Sequence, residues 1–318
     1  MSFDAGLVAP YSAPDMRLLG LLAAAASLFG TVGCAATVVE PSPDGGTATT
    51  TAALISLQSA ARDGKEARTS ISAKFLRAPV SADADAIESL VGSDFELPAP
   101  GECSVVQDAD PVGPESPAAF AIELFDVGDV TIRTRASAIP LAARAFPDVG
   151  DRVSGMFYTS PDTRGNLPAP GKYIVEGSGS QGVERFSVEA DAPQVPSDIS
   201  VNGTPLFDGV EWLGGTDLQL SWRVGENKDD IAYVELITEN GFTARCAFED
   251  RGRGTVPASL IRGVVFGAAP VGATLAVHRV RQGTFQVPGI DLGEVRFDVS
   301  VVSAITLAPQ RTGDIAGP

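Results

Sequence analysis

The sequence predicts an all-β protein of two β-sandwich domains, placed after a signal peptide and a flexible linker. Three observations carry this. Apolar residues recur at every second position in short runs, the period of a half-buried strand. Gly (34) and Pro (23) are abundant and scattered without a fixed period, which argues for many turns between short strands and against collagen or a helical bundle. A length of 318 residues accommodates two domains with sizeable cores, and 44% hydrophobic content removes disorder as the default.

The segment from Met16 has the three-part order of a secretory signal. Arg17 supplies one positive charge, Leu18–Phe29 is an uncharged apolar run, and small residues close it. The run is short for a membrane span, which takes about 20 apolar residues. Residues 1–15 carry Asp4, Asp15 and two prolines ahead of the basic residue. They read as an over-called extension with Met16 as the true start, the competing reading being a genuine polar extension. Thr31-Val32-Gly33-Cys34 resembles the lipobox of bacterial lipoproteins: Gly33 and Cys34 match, and Thr31 stands where leucine is usual. The resemblance implies that residues 16–34 are a lipoprotein signal peptide and that Cys34 becomes the acylated first residue. Acyl chains worth about 0.8 kcal/mol per buried CH2 would then hold it to a lipid bilayer. Ala35 rather than Asp follows the cysteine, which in that family favours the outer membrane. Cleavage nearby by an ordinary signal peptidase, or an uncleaved anchor extending through Val39, are the alternatives.

Residues 35–51 include Glu40-Pro41-Ser42-Pro43-Asp44-Gly45-Gly46, a composition that cannot bury enough apolar surface to offset ordering, and read as a flexible spacer. A β-rich domain follows over 52–190. Its first stretch, Ala52–Asp63, is apolar and mixed. Thr69–Arg77 places Ile71, Ala73 and Phe75 on one face of a half-buried strand. Asp83–Val91 spaces Ala86, Ile87, Leu90 and Val91 as a short helix with acids near its start, and Pro98-Ala99-Pro100-Gly101 breaks it. Cys103–Gln107 reads as a strand. Phe120–Phe125 and Val130–Thr134 read as a strand pair around Asp126–Asp129, and Tyr173–Glu176 with Arg185–Ala190 as a hairpin through Gly177–Gly182.

Two prolines, Pro193 and Pro196, mark 191–198 as an extended linker. The second sandwich spans 199–308. Leu218, Leu220, Trp222 and Val224 alternate. Ile231–Thr238 and Thr243–Phe248 form a hairpin through Asn240-Gly241, a strong turn signal. Thr274–Arg281 and Gly293–Leu307 are the last strands, and 309–318 is a disordered tail.

Leu220-Ser221-Trp222 followed by Asp229-Asp230-Ile231-Ala232-Tyr233 resembles strands B and C of a fibronectin type III domain, which implies an immunoglobulin-like sandwich. The late-strand tyrosine of that family has no counterpart, Leu275 and Val277 standing in the comparable region. The chain as a whole resembles two-domain lipoproteins of myxobacteria and their relatives. Stretches like Gly101-Glu102-Cys103-Ser104-Val105 and Arg245–Asp250, followed by Val256-Pro257-Ala258, recur there. That resemblance implies architecture and no activity.

With Cys34 acylated, Cys103 and Cys246 remain. In an oxidising compartment they form a disulfide, worth about 4–5 kcal/mol for a loop of this length; otherwise they are two buried free thiols. The net charge of −17, from 40 acidic and 23 basic residues, repels nucleic acid. The single histidine, His278, sits in Ala276-Val277-His278-Arg279-Val280, expected to face solvent as a satisfied strand residue. No catalytic constellation, zinc spacing or phosphate loop is present, so no catalytic residue, metal or cofactor is assigned. The acid pairs Asp83/Asp85, Asp108/Asp110 and Glu226/Asp229/Asp230 read as solvated turn residues rather than calcium ligands. Trp222 is expected in the core. Trp212 is either an exposed loop anchor or half-buried.

The function expected is therefore a non-enzymatic cell-envelope lipoprotein, a binding, adhesion or scaffolding module with a protein or glycan partner. The alternatives are a carboxylate-dependent carbohydrate-active hydrolase, which would need facing acids in an aromatic-lined cleft, or an accessory subunit of an envelope complex.

Overall fold

The computed structural model describes residues 48–83, 87, 90–91, 95–106, 120–147, 152–160, 171–180, 182–213, 215–261 and 269–309. The expected extension 1–15, the signal segment with Cys34, the spacer up to residue 47 and the tail beyond Pro309 lie outside the described residues.

The protein is all-β. Its strands are β1 (Thr49–Arg62), β2 (Arg68–Pro79), β3 (Cys103–Val106), β4 (Ile122–Leu124), β5 (Val130–Arg133), β6 (Ala138–Pro140), β7 (Ala142–Ala145), β8 (Val153–Thr159), β9 (Lys172–Gly177) and β10 (Phe186–Asp191). There follow β11 (Ser200–Val201), β12 (Thr204–Pro205), β13 (Glu211–Leu213), β14 (Leu218–Ser221), β15 (Ile231–Thr238), β16 (Thr243–Glu249), β17 (Arg253–Val256), β18 (Val271–Val287) and β19 (Ile290–Ala308). One short helix spans Ala258–Ile261. Ile87 and Leu90 of the expected helix are helical, with Ile87 N–H bonded to the Asp83 carbonyl at 3.0 Å.

A single 11-stranded sheet runs β3-β16-β15-β18-β19-β1-β2-β4-β8-β7, with β13 added to β19. Two four-stranded sheets, β10-β9-β5-β6 and β12-β11-β14-β17, complete the fold. The large sheet corrects the expected division at 191–198. Strands from both sides of that segment share one sheet, because β1 pairs in parallel with β19 (Ala52 opposite Leu292) and β3 pairs with β16. The expected linker is clamped rather than free. Arg279 Nη1 donates to the Gln194 carbonyl at 2.7 Å, and Arg281 Nη1 to the Asp191 carbonyl at 3.2 Å.

Two apolar cores lie on one face of the large sheet. In the first, Ala53, Ile55, Ile71 and Phe75 meet Val130, Val175 and Phe186 of one small sheet. In the second, Val234, Leu275 and Val277 meet Leu218, Leu220 and Trp222 of the other. Strand β19 feeds both, Val295 and Phe297 entering the first and Val301, Ile305 and Leu307 the second. Those positions are even-spaced, so they point the same way. This is the inner face; the opposite one is the outer face.

Local chemistry explains the long hairpins. Asp63 and Gly64 both take positive φ, 49° and 68°, and Lys65 N–H closes the turn on the Arg62 carbonyl at 2.9 Å. That is the primed turn whose twist suits antiparallel strands. Pro288-Gly289 links β18 to β19, with Val287 opposite Ile290. Gly289 has φ 88°, and a Cβ there would lie 2.4 Å from the Gly182 carbonyl oxygen, so both the turn and the close approach require glycine.

Several local expectations need correction. The spacer ends earlier than residue 51, since Thr49–Thr51 already belong to β1 and the Thr51 N–H bonds Asp291 at 2.9 Å. Strands β4 and β5 do not pair with each other. The chain crosses from the large sheet to a small one between them, because Leu124 joins the outer-face core and Val130 the inner one. Strand β2 is covered on both faces from residue 74, Lys74, Leu76 and Ala78 being buried opposite Phe75. Val224 lies beyond the end of β14 and is exposed. The hairpin β9–β10 and the hairpin β15–β16 have the expected antiparallel pairing.

The strand-to-strand crossing near Asp126 is fixed by Tyr158. Its hydroxyl accepts the Val127 N–H at 2.9 Å and donates to Asp126 Oδ1 at 2.6 Å. The Tyr158 hydroxyl first, and the Gly128 N–H second, hold the Asp126 carboxyl below its ordinary range. Tyr158→Phe is expected to cost about 1–3 kcal/mol, because it leaves the Val127 N–H without its acceptor. The lowered Asp126 contribution is present above the unfolded pKa and is lost as pH falls through the native value. Urea unfolding from pH 7 to 2 should therefore show the gap between wild type and variant narrowing below about pH 4.

Candidate functional site

The outer face of β2, β1 and β19 carries the chemistry. Ile55, Leu57, Ile71 and Ala73 point inward to the core, so alternation turns Ser56, Gln58, Ser70 and Ser72 outward. The register sets Ser72 beside Ser56 and Ser56 beside Arg296, and in the next row Ser70 beside Gln58 and Gln58 beside Asp298. Together with Phe95 and Thr159 these side chains line a groove of about 270 Å³. Among the described residues the side chains of Ser56, Gln58, Ser70 and Ser72 make no hydrogen bond.

The charged residues of the wall are paired. Arg296 Nη2 lies 2.8 Å from Glu294, and its guanidinium sits over the Phe95 ring at 4.6 Å. Asp298 accepts the Tyr233 hydroxyl at 2.7 Å and lies 2.7 Å from His278 Nδ1. The Tyr233 and His278 rings, directly opposite in the β15–β18 ladder, stack at 4.0 Å. Burial first, then the Asp298 charge, pushes the Tyr233 phenol well above its ordinary pKa, so it remains a donor.

His278 therefore does not face solvent as expected. Its side chain is 11% exposed, and its Nε2 is buried without a partner among the described residues. The reason is tertiary: residues 95–102 cross the outer face, with Phe95 and Leu97 packed on Tyr233, Ala247 and Val280. The Gly101 N–H fastens that crossing to the Ala247 carbonyl at 2.7 Å. His278 Nδ1 is paired with a carboxylate, and the nitrogen that would take a proton from a hydroxyl, Nε2, is buried and meets no hydroxyl among the described residues.

Cys103 and Cys246 are joined by a disulfide, opposite each other in the β3–β16 ladder and 143 residues apart in sequence. It ends the crossing segment at the sheet edge. Cys34, and Asp85, Asp108 and Asp110 of the acid pairs, lie outside the described residues. Asp230 is not a solvated turn acid: it is 2% exposed and holds Arg281 at 2.6 and 2.9 Å. Trp212 is neither exposed nor half-buried. It is fully buried beside β19, its Nε1 donating to the Thr216 carbonyl at 2.7 Å. Trp222 lies in the core and donates to Asp250 at 2.6 Å.

The groove residues went unread in the sequence. Ser70 and Ser72 alternate visibly with Ile71 and Ala73, but the strand pairing that sets them beside Ser56 and Gln58 joins segments far apart. Neither a protein-family model nor a curated protein matches the sequence.

Proposed function

We propose that the protein is a non-catalytic lipoprotein of the cell envelope, tethered to the outer membrane by an acylated Cys34, whose β-sheet body binds a protein or glycan partner. One observation carries this reading. The described cysteines form a disulfide, a bond that persists in oxidising compartments, and the remaining cysteine is the one in the lipobox-like segment. The Pro-, Gly- and Thr-rich stretch between Cys34 and β1 suits a spacer between membrane and body. The binding role rests on the groove of free polar side chains. The non-catalytic one rests on His278 Nε2, which is buried and meets no hydroxyl or thiol among the described residues.

Intact mass of protein recovered from membranes tests the anchor. The expected product begins at a diacylated or triacylated Cys34, and Cys34→Ala should release an unacylated chain from the membrane fraction. An unmodified wild-type mass would overturn the reading.

A further inference from the structure

We propose that the groove on the outer face of β2, β1 and β19 binds one neutral, hydroxyl-rich sugar residue of a glycan. The inference rests on the reading of the chain as a binding module and names its ligand class. Its floor is built of hydroxyls and a carboxamide, Ser56, Ser70, Ser72 and Gln58, groups that each donate and accept. Sugar hydroxyls do the same, so every group on either side finds a complement. Cross-strand neighbours on one face stand about 5 Å apart and successive outward positions about 7 Å apart, the scale of a pyranose ring.

Charge and topology narrow the ligand further. Arg296 is taken up by Glu294 and Phe95, and the other charge on the wall, Asp298, is a carboxylate bonded by Tyr233 and His278, so no free cation among the lining residues selects a phosphate or carboxylate. Strand β1 is paired on both sides, with β19 and β2, so its backbone has no free edge to which a peptide could add as a strand. A volume of about 270 Å³ suits a single ring better than a folded partner.

The test is saturation-transfer NMR on the full acylated chain in a detergent without a sugar headgroup. The probes are methyl β-D-glucopyranoside, methyl α-D-mannopyranoside, methyl β-D-galactopyranoside and N-acetylglucosamine, with glucuronate as the anionic comparison. Transfer is expected to at least one neutral sugar and less to glucuronate. Affinity should fall about tenfold in the double variant Gln58→Leu, Ser72→Val, which removes two neutral hydrogen-bonding groups. Gln58 is exposed and Ser72 half-buried at the groove surface, so an unchanged urea midpoint is expected and shows that the fold is kept. Absence of transfer to every neutral sugar, preference for glucuronate, or equal transfer in the variant overturns the proposal. The variants leave Cys34 intact. An acylated chain that binds no sugar therefore defeats this inference alone, and an unacylated chain that binds one defeats only the anchor.

Discussion

Replacing Cys103 and Cys246 together by Ala is expected to lower stability by about 4–5 kcal/mol, the chain-entropy value for closing a loop of this length. The non-covalent hold on this part of the chain is slight. Strand β3 is four residues long and, among the described residues, sits at the edge of the large sheet and pairs only with β16. Behind it, residues 95–102 cover Tyr233 and reach the sheet through Gly101 and Glu102, each bonded to Ala247. Without the disulfide, hydrogen exchange should rise first in 101–106 and then at Tyr233 and His278, with the global loss read from urea midpoints. A loss below about 1 kcal/mol would mean that the denatured chain already keeps residues 103 and 246 close.

Asp250→Ala is expected to cost about 3–5 kcal/mol, the range for removing one partner of a buried ion pair. Arg279 is 1% exposed and spends its donors on Asp250 (Nε at 2.8 Å) and on the carbonyls of Gln194 and Arg223, both at 2.7 Å. Asp250 in turn accepts the Trp222 indole N–H at 2.6 Å and the Gly225 N–H at 2.8 Å. The variant therefore leaves a buried guanidinium without its counter-charge and two further donors without an acceptor. Because Arg279 also holds residue 194, exchange at 191–198 should rise more than in β9 or β14. A loss of under about 1 kcal/mol in urea unfolding would show that water reaches the guanidinium.

The same residues mark how far the sequence could be read. Period-two alternation is a local property, so β2, β14, β15, β16, the middle of β18 and most of β19 were legible, as were the turn at Asn240-Gly241 and the hairpin closing on Arg185–Ala190. Each depends on neighbours within a few residues, where side-chain direction follows from the backbone. The spacing of Gly and Pro likewise set the all-β class.

Only the tertiary structure decided which strands meet. The parallel pairing of β1 with β19 joins the first and last strands of the body, and no local pattern encodes it. It turned two expected sandwiches into two cores on one shared sheet. The prolines of 191–198 argue for an extended chain, but Arg279 and Arg281 reach that chain from β18 and hold it down, a contact invisible to composition. His278 and Asp230 were misplaced for the same reason: alternation tells which face a side chain takes, not what later covers that face. The groove lies at the extreme of this division. Its serines and glutamine are ordinary outward strand positions, and they become a site only because long-range pairing sets Ser72, Ser56 and Arg296 side by side.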